Sequence, residues 1–243
     1  LHKEFLEITQ RPFPVPQTPW IMTQKWHQLL FCHWIVPEGI LRAEVPPQFE
    51  LDLFNGQAWL GIIPFRVTGM RFRCQPSFPY IGKYLELNIR TYVKYKGTPG
   101  IYFLSMDANK WMAVLGAKIG ALLPYRYAQM KIDQDGDITQ FHSNRGEEEK
   151  LQIQYRPTSP LFIPKQGSLE FWLFERYCFF VTKRNRVYRG DIHHDRWRVG
   201  HAEADFIKNT MATKLLNQSY FNKPSFHLAA DKQVFAWLLK ELN

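Results

Sequence analysis

Along residues 84–95 apolar and polar side chains alternate. Leu85, Leu87, Ile89, Thr91 and Val93 fall on one side, and Tyr84, Glu86, Asn88, Arg90, Tyr92 and Lys94 on the other. A period of two is that of a β-strand, whose successive side chains point to opposite faces. The run Lys96-Gly97-Thr98-Pro99-Gly100 turns the chain, and residues 101–106 are predicted to pair back. The aromatic-rich stretch 26–34 reads as a strand. Strands at 49–54 and 57–68 flank Asn55-Gly56, the best hairpin signal in the chain. A hairpin around Asp135-Gly136 joins 127–133 to 137–143, and further strands are predicted at 151–156, 177–182, 186–193 and 202–207. Residues 227–239 fit a closing strand or a helix equally well. Residues 69–82 and 157–167 read as loop and linker.

Helical spacing is confined to short stretches. Pro37-Glu38 opens a helix to about residue 45, with proline at a first-turn position and a carboxylate near the positive end of the dipole, and Pro46-Pro47 stops it. Ser168 is placed to cap a helix ending near residue 175, and 211–216 reads as another short helix. In residues 109–130, Trp111, Leu115, Ile119 and Leu122 lie on one side, and Ala113, Gly116, Ala117, Gly120 and Ala121 on the other. Bulk on one side and small residues on the other predict a helix sandwiched within the protein. Pro124 ends it, and Tyr125 and Arg126 follow at its exit, a good place for a site. Lys118 falls on the bulky side, about 20° from Trp111 at 100° per residue. It reads as a snorkelling lysine; the alternative is that it enters a cavity beside Arg126.

Many hairpins with a few short helices predict a mainly antiparallel α+β fold, a curved sheet or barrel. Prolines 12, 14, 16 and 19 make residues 1–25 an extended segment draped over the single domain expected for residues 26–243.

Composition narrows the function classes. The net charge of +9 suits anion steering, but the 31 basic residues are spread along the chain without a nucleic-acid-binding signature, which argues against a nucleic-acid role. Cys32, Cys74 and Cys178 form no CxxC motif and read as reduced thiols in a cytoplasmic protein. No segment reaches the ~18 uninterrupted apolar residues of a membrane span, and the first residues lack a signal-peptide core. Nothing in the composition decides between a monomer and a homo-oligomer.

The order WHQLLFCHW, LRAEVPP, NGQAWLGIIPF, ELNIRTYV, LPYRYAQM, LEFWLFERY and YRGDIHH, from Trp20 onward, resembles the uncharacterised YqjF-like family. That family is taken to lie within the acetoacetate decarboxylase-like superfamily. Leu41-Arg42 through Val45-Pro46-Pro47 to Leu51-Asp52 resembles the helix–Pro–strand opening of those decarboxylases, and Gly116 through Pro124-Tyr125-Arg126 resembles their glycine, short helix and Pro-Lys-Lys. The resemblance implies a cone-like β-barrel of the acetoacetate decarboxylase-like type with an internal pocket. In the decarboxylases the first lysine after the proline forms a Schiff base and the second depresses its pKa. Tyr125 and Arg126 stand there in this chain. Tyrosine cannot form an imine and arginine stays protonated, so that activity does not carry over.

Within such a barrel the polar side of 84–95 points inward. Arg90 is then placed to hold a carboxylate or phosphate, with Glu86 as base or orienting group and Asn88 beside them; the alternative is an ordinary solvated strand face. Tyr125 and Arg126 enter the same pocket through the positional resemblance, and Lys118 is the further candidate. Glu86 and Arg90, four apart in a strand, have Cα atoms about 13 Å apart and are not expected to pair directly. Glu175-Arg176-Tyr177 reads as a structural ion pair at a helix end. His193-His194 would point to opposite strand faces, which disfavours a shared metal. No Walker, GxGxxG or GxSxG sequence is present, and no metal or cofactor is expected. The expected function is binding of a small, anionic organic molecule. An enzyme using acid–base chemistry on a carbonyl or carboxylate compound is the alternative, and a basic partner-binding module is a distant third.

Overall fold

The computed structural model describes residues 2–77, 82–212, 215 and 224–242. In chain order the elements are β1 (Met22–His27), β2 (Leu29–Val36), α1 (Glu38–Glu44), β3 (Glu50–Leu51), β4 (Ala58–Phe72), β5 (Tyr84–Tyr95), β6 (Thr98–Ala108), α2 (Trp111–Gly120), β7 (Tyr125–Tyr127), β8 (Gln129–Asp135), β9 (Ile138–Arg145), β10 (Glu149–Pro157), α3 (Leu169–Phe174), β11 (Cys178–Lys183), β12 (Arg186–His193), β13 (Val199–Asn209), β14 (Ser225–Ala229), β15 (Lys232–Ala236) and β16 (Lys240–Leu242). The described chain is mostly strand, with short helices, in an α+β arrangement.

One long strand organises the sheet. β4 pairs along one edge with β5 and along the other first with β2 and then with β1. β1 and β2 form the single aromatic-rich strand expected over 26–34, interrupted at Gln28, whose φ of 50° makes a kink. Beyond the kink the neighbours diverge: β1 continues to β15, whereas β2 continues to β14. The β1 limb runs through β15, β12, β11 and β6 back to β5 and β4, so its pairings close into a ring. The β2 limb runs through β14, β13, β10 and β9 to β8.

The two limbs create two separate packing layers. Leu30, Cys32, Trp34, Leu60, Ile62, Leu85, Leu87 and Ile89 point out of the ring and pack against Phe141, Leu151, Ile153 and Tyr155 of the second limb. Alternate residues of the same strands, including Phe31, Trp59, Ile63, Phe65, Tyr84 and Tyr92, point into the ring. There they meet Leu173 and Phe174 of α3 and Val114 of α2. β4 and β5 are therefore buried on both faces, and the polar side of β5 lies within the ring.

Local chemistry explains most boundaries. Asn55 and Gly56 both have positive φ, as a two-residue hairpin turn of the primed type requires. Lys96 and Gly97 do the same between β5 and β6, so β6 begins at Thr98, earlier than expected. Ser168 caps α3 by accepting from the Phe171 amide. The strand expected over 49–54 shortens to Glu50–Leu51, beyond which the Asp52 side chain turns to Arg176 and Lys94. The undecided 227–239 stretch is strand: β14 and β15 each gain a partner on both sides. Of the helix expected over 211–216, residues 211, 212 and 215 lie in turn structure and the remainder falls outside the described residues.

The reading of α2 as a sandwiched helix is corrected. Trp111 and Ile119 are 62% and 73% exposed, and Met112 and Leu115 are also exposed. Only part of the small side turns inward: Ala113 and Ala117, with Val114 between them, touch the ring's contents, whereas Gly116 and Gly120 are exposed. Spacing defines two sides of a helix without saying which is inner. Here the inward strip is Ala113, Val114 and Ala117, and the bulky side chains are left in solvent.

The amino-terminal segment lies on the β11–β12–β15 surface. Arg11 donates to the Ile192 carbonyl at 2.8 Å and stacks on the Tyr177 ring, Phe5 packs on Phe235, and the Trp237 indole donates to the Thr18 carbonyl at 2.7 Å.

Candidate functional site

β5 carries Glu86, Asn88, Arg90 and Tyr92 into the ring because its odd-numbered apolar residues are taken up by the outer layer. Glu86 is 2% exposed. It accepts hydrogen bonds from Tyr125 and Asn88. Burial nevertheless outweighs those bonds and pushes its carboxyl up from 4.5 to about 7. Tyr125 reaches it from β7, which runs parallel to β6 with Tyr125 beside Met106. Burial and the nearby Glu86 hold the Tyr125 phenol well above its ordinary value. Tyr84, on the same side of β5, donates to Gln24 at 3.2 Å.

At the other end of β5 the chemistry changes. Arg90 donates from Nη2 to the Tyr92 hydroxyl at 3.3 Å and lies over the rings of Phe31 and Tyr92. The same hydroxyl lies 2.7 Å from His33 Nε2 on β2. His33 is fully buried, and desolvation, then Arg90 and His227, push its pKa well below the usual value, so the imidazole is neutral. His227 on β14 stands opposite Phe31 in the ladder, with Glu170 at 3.9 Å. Burial lowers its pKa to about 4. α3 packs on this end: Trp172 is 4.7 Å from Tyr92 and Phe174 is 4.5 Å from Phe31, centroid to centroid. Gly61 makes room for the histidine, because a Cβ there would lie 3.1 Å from His33 Nε2.

Several polar atoms in this interior have no protein hydrogen-bond partner: Glu86 Oε2, Asn88 Oδ1, Arg90 Nε, His33 Nδ1 and both ring nitrogens of His227. A buried polar atom left unpaired costs about 1–3 kcal/mol, and this grouping around β5 makes the interior the candidate site.

Of the predicted residues, Glu86, Asn88, Arg90 and Tyr125 meet inside the ring. Arg126 and Lys118 do not. The Arg126 side chain is 60% exposed and lies 4.0 Å from Glu149; neighbouring strand residues point oppositely, so burying Tyr125 turns Arg126 outward. Lys118 is exposed on α2, as snorkelling requires, and does not enter the interior. The buried lysine among the described residues, Lys232, spends its ammonium on the Asp195 carboxylate at 2.8 Å and the carbonyls of Asp195 and Arg196. Glu175 and Arg176 do not pair with each other: Arg176 binds Asp52 at 2.6 Å, and Glu175 accepts from the Tyr177 hydroxyl and the Trp197 amide. Sequence reasoning missed His33 and His227. His33 is the one polar residue in the otherwise apolar run 29–36, a usable signal; His227 lies in the undecided 227–239 stretch.

Two surface grooves of about 730 and 490 Å³ share Trp20 and Arg73 and are lined by none of these interior residues. No cluster of three or more metal-ligating side chains occurs among the described residues, and no described helix is long and apolar enough to cross a membrane.

A ring of strands with a second limb folded over it and polar groups turned inward is the fold of acetoacetate decarboxylase-like proteins. The chain superposes on an acetoacetate decarboxylase from Legionella pneumophila subsp. pneumophila str. Philadelphia 1 with a TM-score of 0.64, at 15% identity, covering 97% of this chain and 93% of that one. It matches the enduracididine biosynthesis enzyme MppR complexed with pyruvate equally well in shape, with a TM-score of 0.64 at 10% identity over 93% and 91% of the two chains. Within that fold the chain belongs to the DUF2071 family, described as an uncharacterized conserved protein, which it matches over residues 23–233. It is 43% identical over 234 residues to the uncharacterized protein YqjF of Bacillus subtilis (strain 168), covering 96% of this chain and 97% of that protein.

Proposed function

We propose that this protein binds a small, anionic organic molecule inside a cone-like barrel formed by the ring of strands, without Schiff-base chemistry. The observation that carries the reading is the half-buried side chain of Arg90, whose Nε is shut off from solvent. It has no carboxylate partner among the described residues, and its Nε–H lacks an acceptor beside the neutral His33. A guanidinium set over aromatic rings with one buried N–H left unanswered is completed by an anion. The similarity to MppR, whose structure holds pyruvate, is consistent with a small carboxylate. Lysine is absent from the position after Pro124, and the buried Lys232 is fully bonded elsewhere, so among the described residues no amine is free in the interior to form an imine. The free thiols of Cys32, Cys74 and Cys178 fit the reducing cytoplasm.

A second reading, acid–base catalysis on a carbonyl or carboxylate compound, is favoured by Glu86 alone. A buried carboxyl near 7, bonded to a phenol, is matched to proton transfer at neutral pH.

Thermal melting in the presence of a panel of small monocarboxylates tests the binding reading. Selected acids should raise the melting temperature in a concentration-dependent way, and Arg90→Met should abolish the rise while leaving a folded protein. If no carboxylate stabilises the parent protein, or if Arg90→Met responds as the parent does, the reading is wrong. Ligand consumption on incubation with the stabilising acid would move the protein to the catalytic reading.

A further inference from the structure

We propose that the ligand of this interior is two-ended: a small carboxylic acid that also carries a hydroxyl or amino group several atoms away. The inference rests on the binding reading above and adds which chemistry each end of the site accepts.

At the Arg90 end, the unpaired atoms are donors. The Tyr92 hydroxyl has one proton. It accepts from Arg90, and of its two hydrogen-bond partners only His33 Nε2, at 2.7 Å, can take its own proton, so the hydroxyl donates there. That fixes the imidazole proton of His33 on Nδ1, a fully buried atom with no partner. The Nε–H of Arg90 is likewise unanswered. His227, 4% exposed and on the same side of the adjoining strand, has neither nitrogen bonded, and in its neutral form one of them carries a hydrogen. Unanswered N–H groups beside a guanidinium, those of Arg90 Nε and His33 Nδ1 above all, suit a carboxylate, which offers about four lone pairs and no proton.

At the Glu86 end, with the carboxyl ionised as it is above about pH 7, the unpaired atoms are acceptors. Tyr125 and the Asn88 amide both donate to Glu86, which leaves Glu86 Oε2 and Asn88 Oδ1 without donors. Such a pair is answered by a hydroxyl or an amine, and a plain alkyl chain would leave both unpaired. The residues lie in one strand, about 6–7 Å per two positions, so a ligand with about four to six atoms between its ends can reach from Arg90 to Asn88 and Glu86.

Titration calorimetry with 4-hydroxybutyrate, 4-aminobutyrate, butyrate and 1,4-butanediol tests the proposal on the full chain. One of the two-ended acids should bind at least tenfold more tightly than butyrate, because a site built to bond a polar group discriminates strongly against its absence. Butanediol should not bind. Asn88→Leu should reduce the preference for the two-ended acid over butyrate to within about threefold, and Arg90→Met should remove binding of every acid. The comparison among ligands on the parent protein stands even where a variant fails to fold. Equal binding of butyrate and both two-ended acids would overturn the inference and leave the carboxylate reading intact. Absence of any carboxylate binding would overturn both, and the interior would then hold water alone.

Discussion

Replacing Glu86 by glutamine should make the protein more resistant to alkaline destabilisation, by an amount that follows from burial. In the folded protein the Glu86 carboxyl is raised from 4.5 to about 7, with desolvation the leading cause and the bonds from Tyr125 and Asn88 opposing it. Below 4.5 the group is protonated in both folded and unfolded chains and costs nothing. Between 4.5 and 7 the folded state keeps a proton that the unfolded chain has lost, so stability falls as pH rises. Above 7 both states are ionised and the full cost remains. At 1.36 kcal/mol per pH unit the loss amounts to roughly 3 kcal/mol. Glutamine keeps the shape and an acceptor for Tyr125, but it cannot ionise. Urea denaturation of both proteins at several values from pH 4.5 to pH 8 isolates the effect, because other titrating groups cancel in the difference. The stability of Glu86→Gln minus that of the parent should rise by roughly 3 kcal/mol across the range, with most of the change complete by pH 7. A difference that stays constant within about 0.5 kcal/mol would mean that Glu86 is solvated in the folded protein, and the buried acceptor end of the site would go with it.

Asp52→Asn should destabilise the fold by about 3–5 kcal/mol in urea, since it leaves Arg176, bonded to Asp52 at 2.6 Å and buried with it, as an uncompensated charge; a loss below 1 kcal/mol would show that water reaches the pair. Gly100→Ala should cost about 1–3 kcal/mol, because the new Cβ would stand 2.6 Å from the Phe180 ring and 2.9 Å from Cys178 Sγ; an unchanged melting temperature would contradict that packing. Trp111→Ser and Ile119→Ser, both at exposed positions, should change stability by no more than about 0.5 kcal/mol; a loss of several kcal/mol would restore the sandwiched helix. Arg126→Ala should leave carboxylate-induced stabilisation unaltered, and its disappearance would bring that exposed guanidinium back to the site.

What the sequence could disclose depended on whether a pattern refers to one neighbour or to many. The alternation of residues 84–95 separates two chemically different faces, and it identified Glu86, Asn88 and Arg90 as sharing a side. Turns at Asn55-Gly56 and Asp135-Gly136, and the Ser168 cap, are local agreements between residue type and backbone, legible for the same reason. Which face of β5 would be wet was not legible. Both faces are buried, and that follows from the second limb covering the outer side, which depends on pairings between β2 and β14 and between β13 and β10 that are far apart in the chain. The same ignorance of neighbours inverted α2, where helical spacing identified two sides and bulk was taken to mean inside.

The interior histidines show the limit most directly. His33 lies in a strand whose alternation puts it with Phe31 and opposite Cys32, but nothing in that stretch says that Tyr92 and Arg90 will meet its ring. His227 reaches the same space from β14, nearly two hundred residues later, and only the ladder with β2 puts the two on one side. Each imidazole read alone is a buried histidine of no consequence. Beside the unanswered Nε–H of Arg90, the two carry ring nitrogens that protein atoms leave unbonded, while Glu86 and Asn88 leave oxygens unanswered further along the strand. Donors and acceptors that could have neutralised one another within the fold are held apart by the rigid spacing of β5. That separation has a stability cost, and a molecule bearing both kinds of group could recover it on binding.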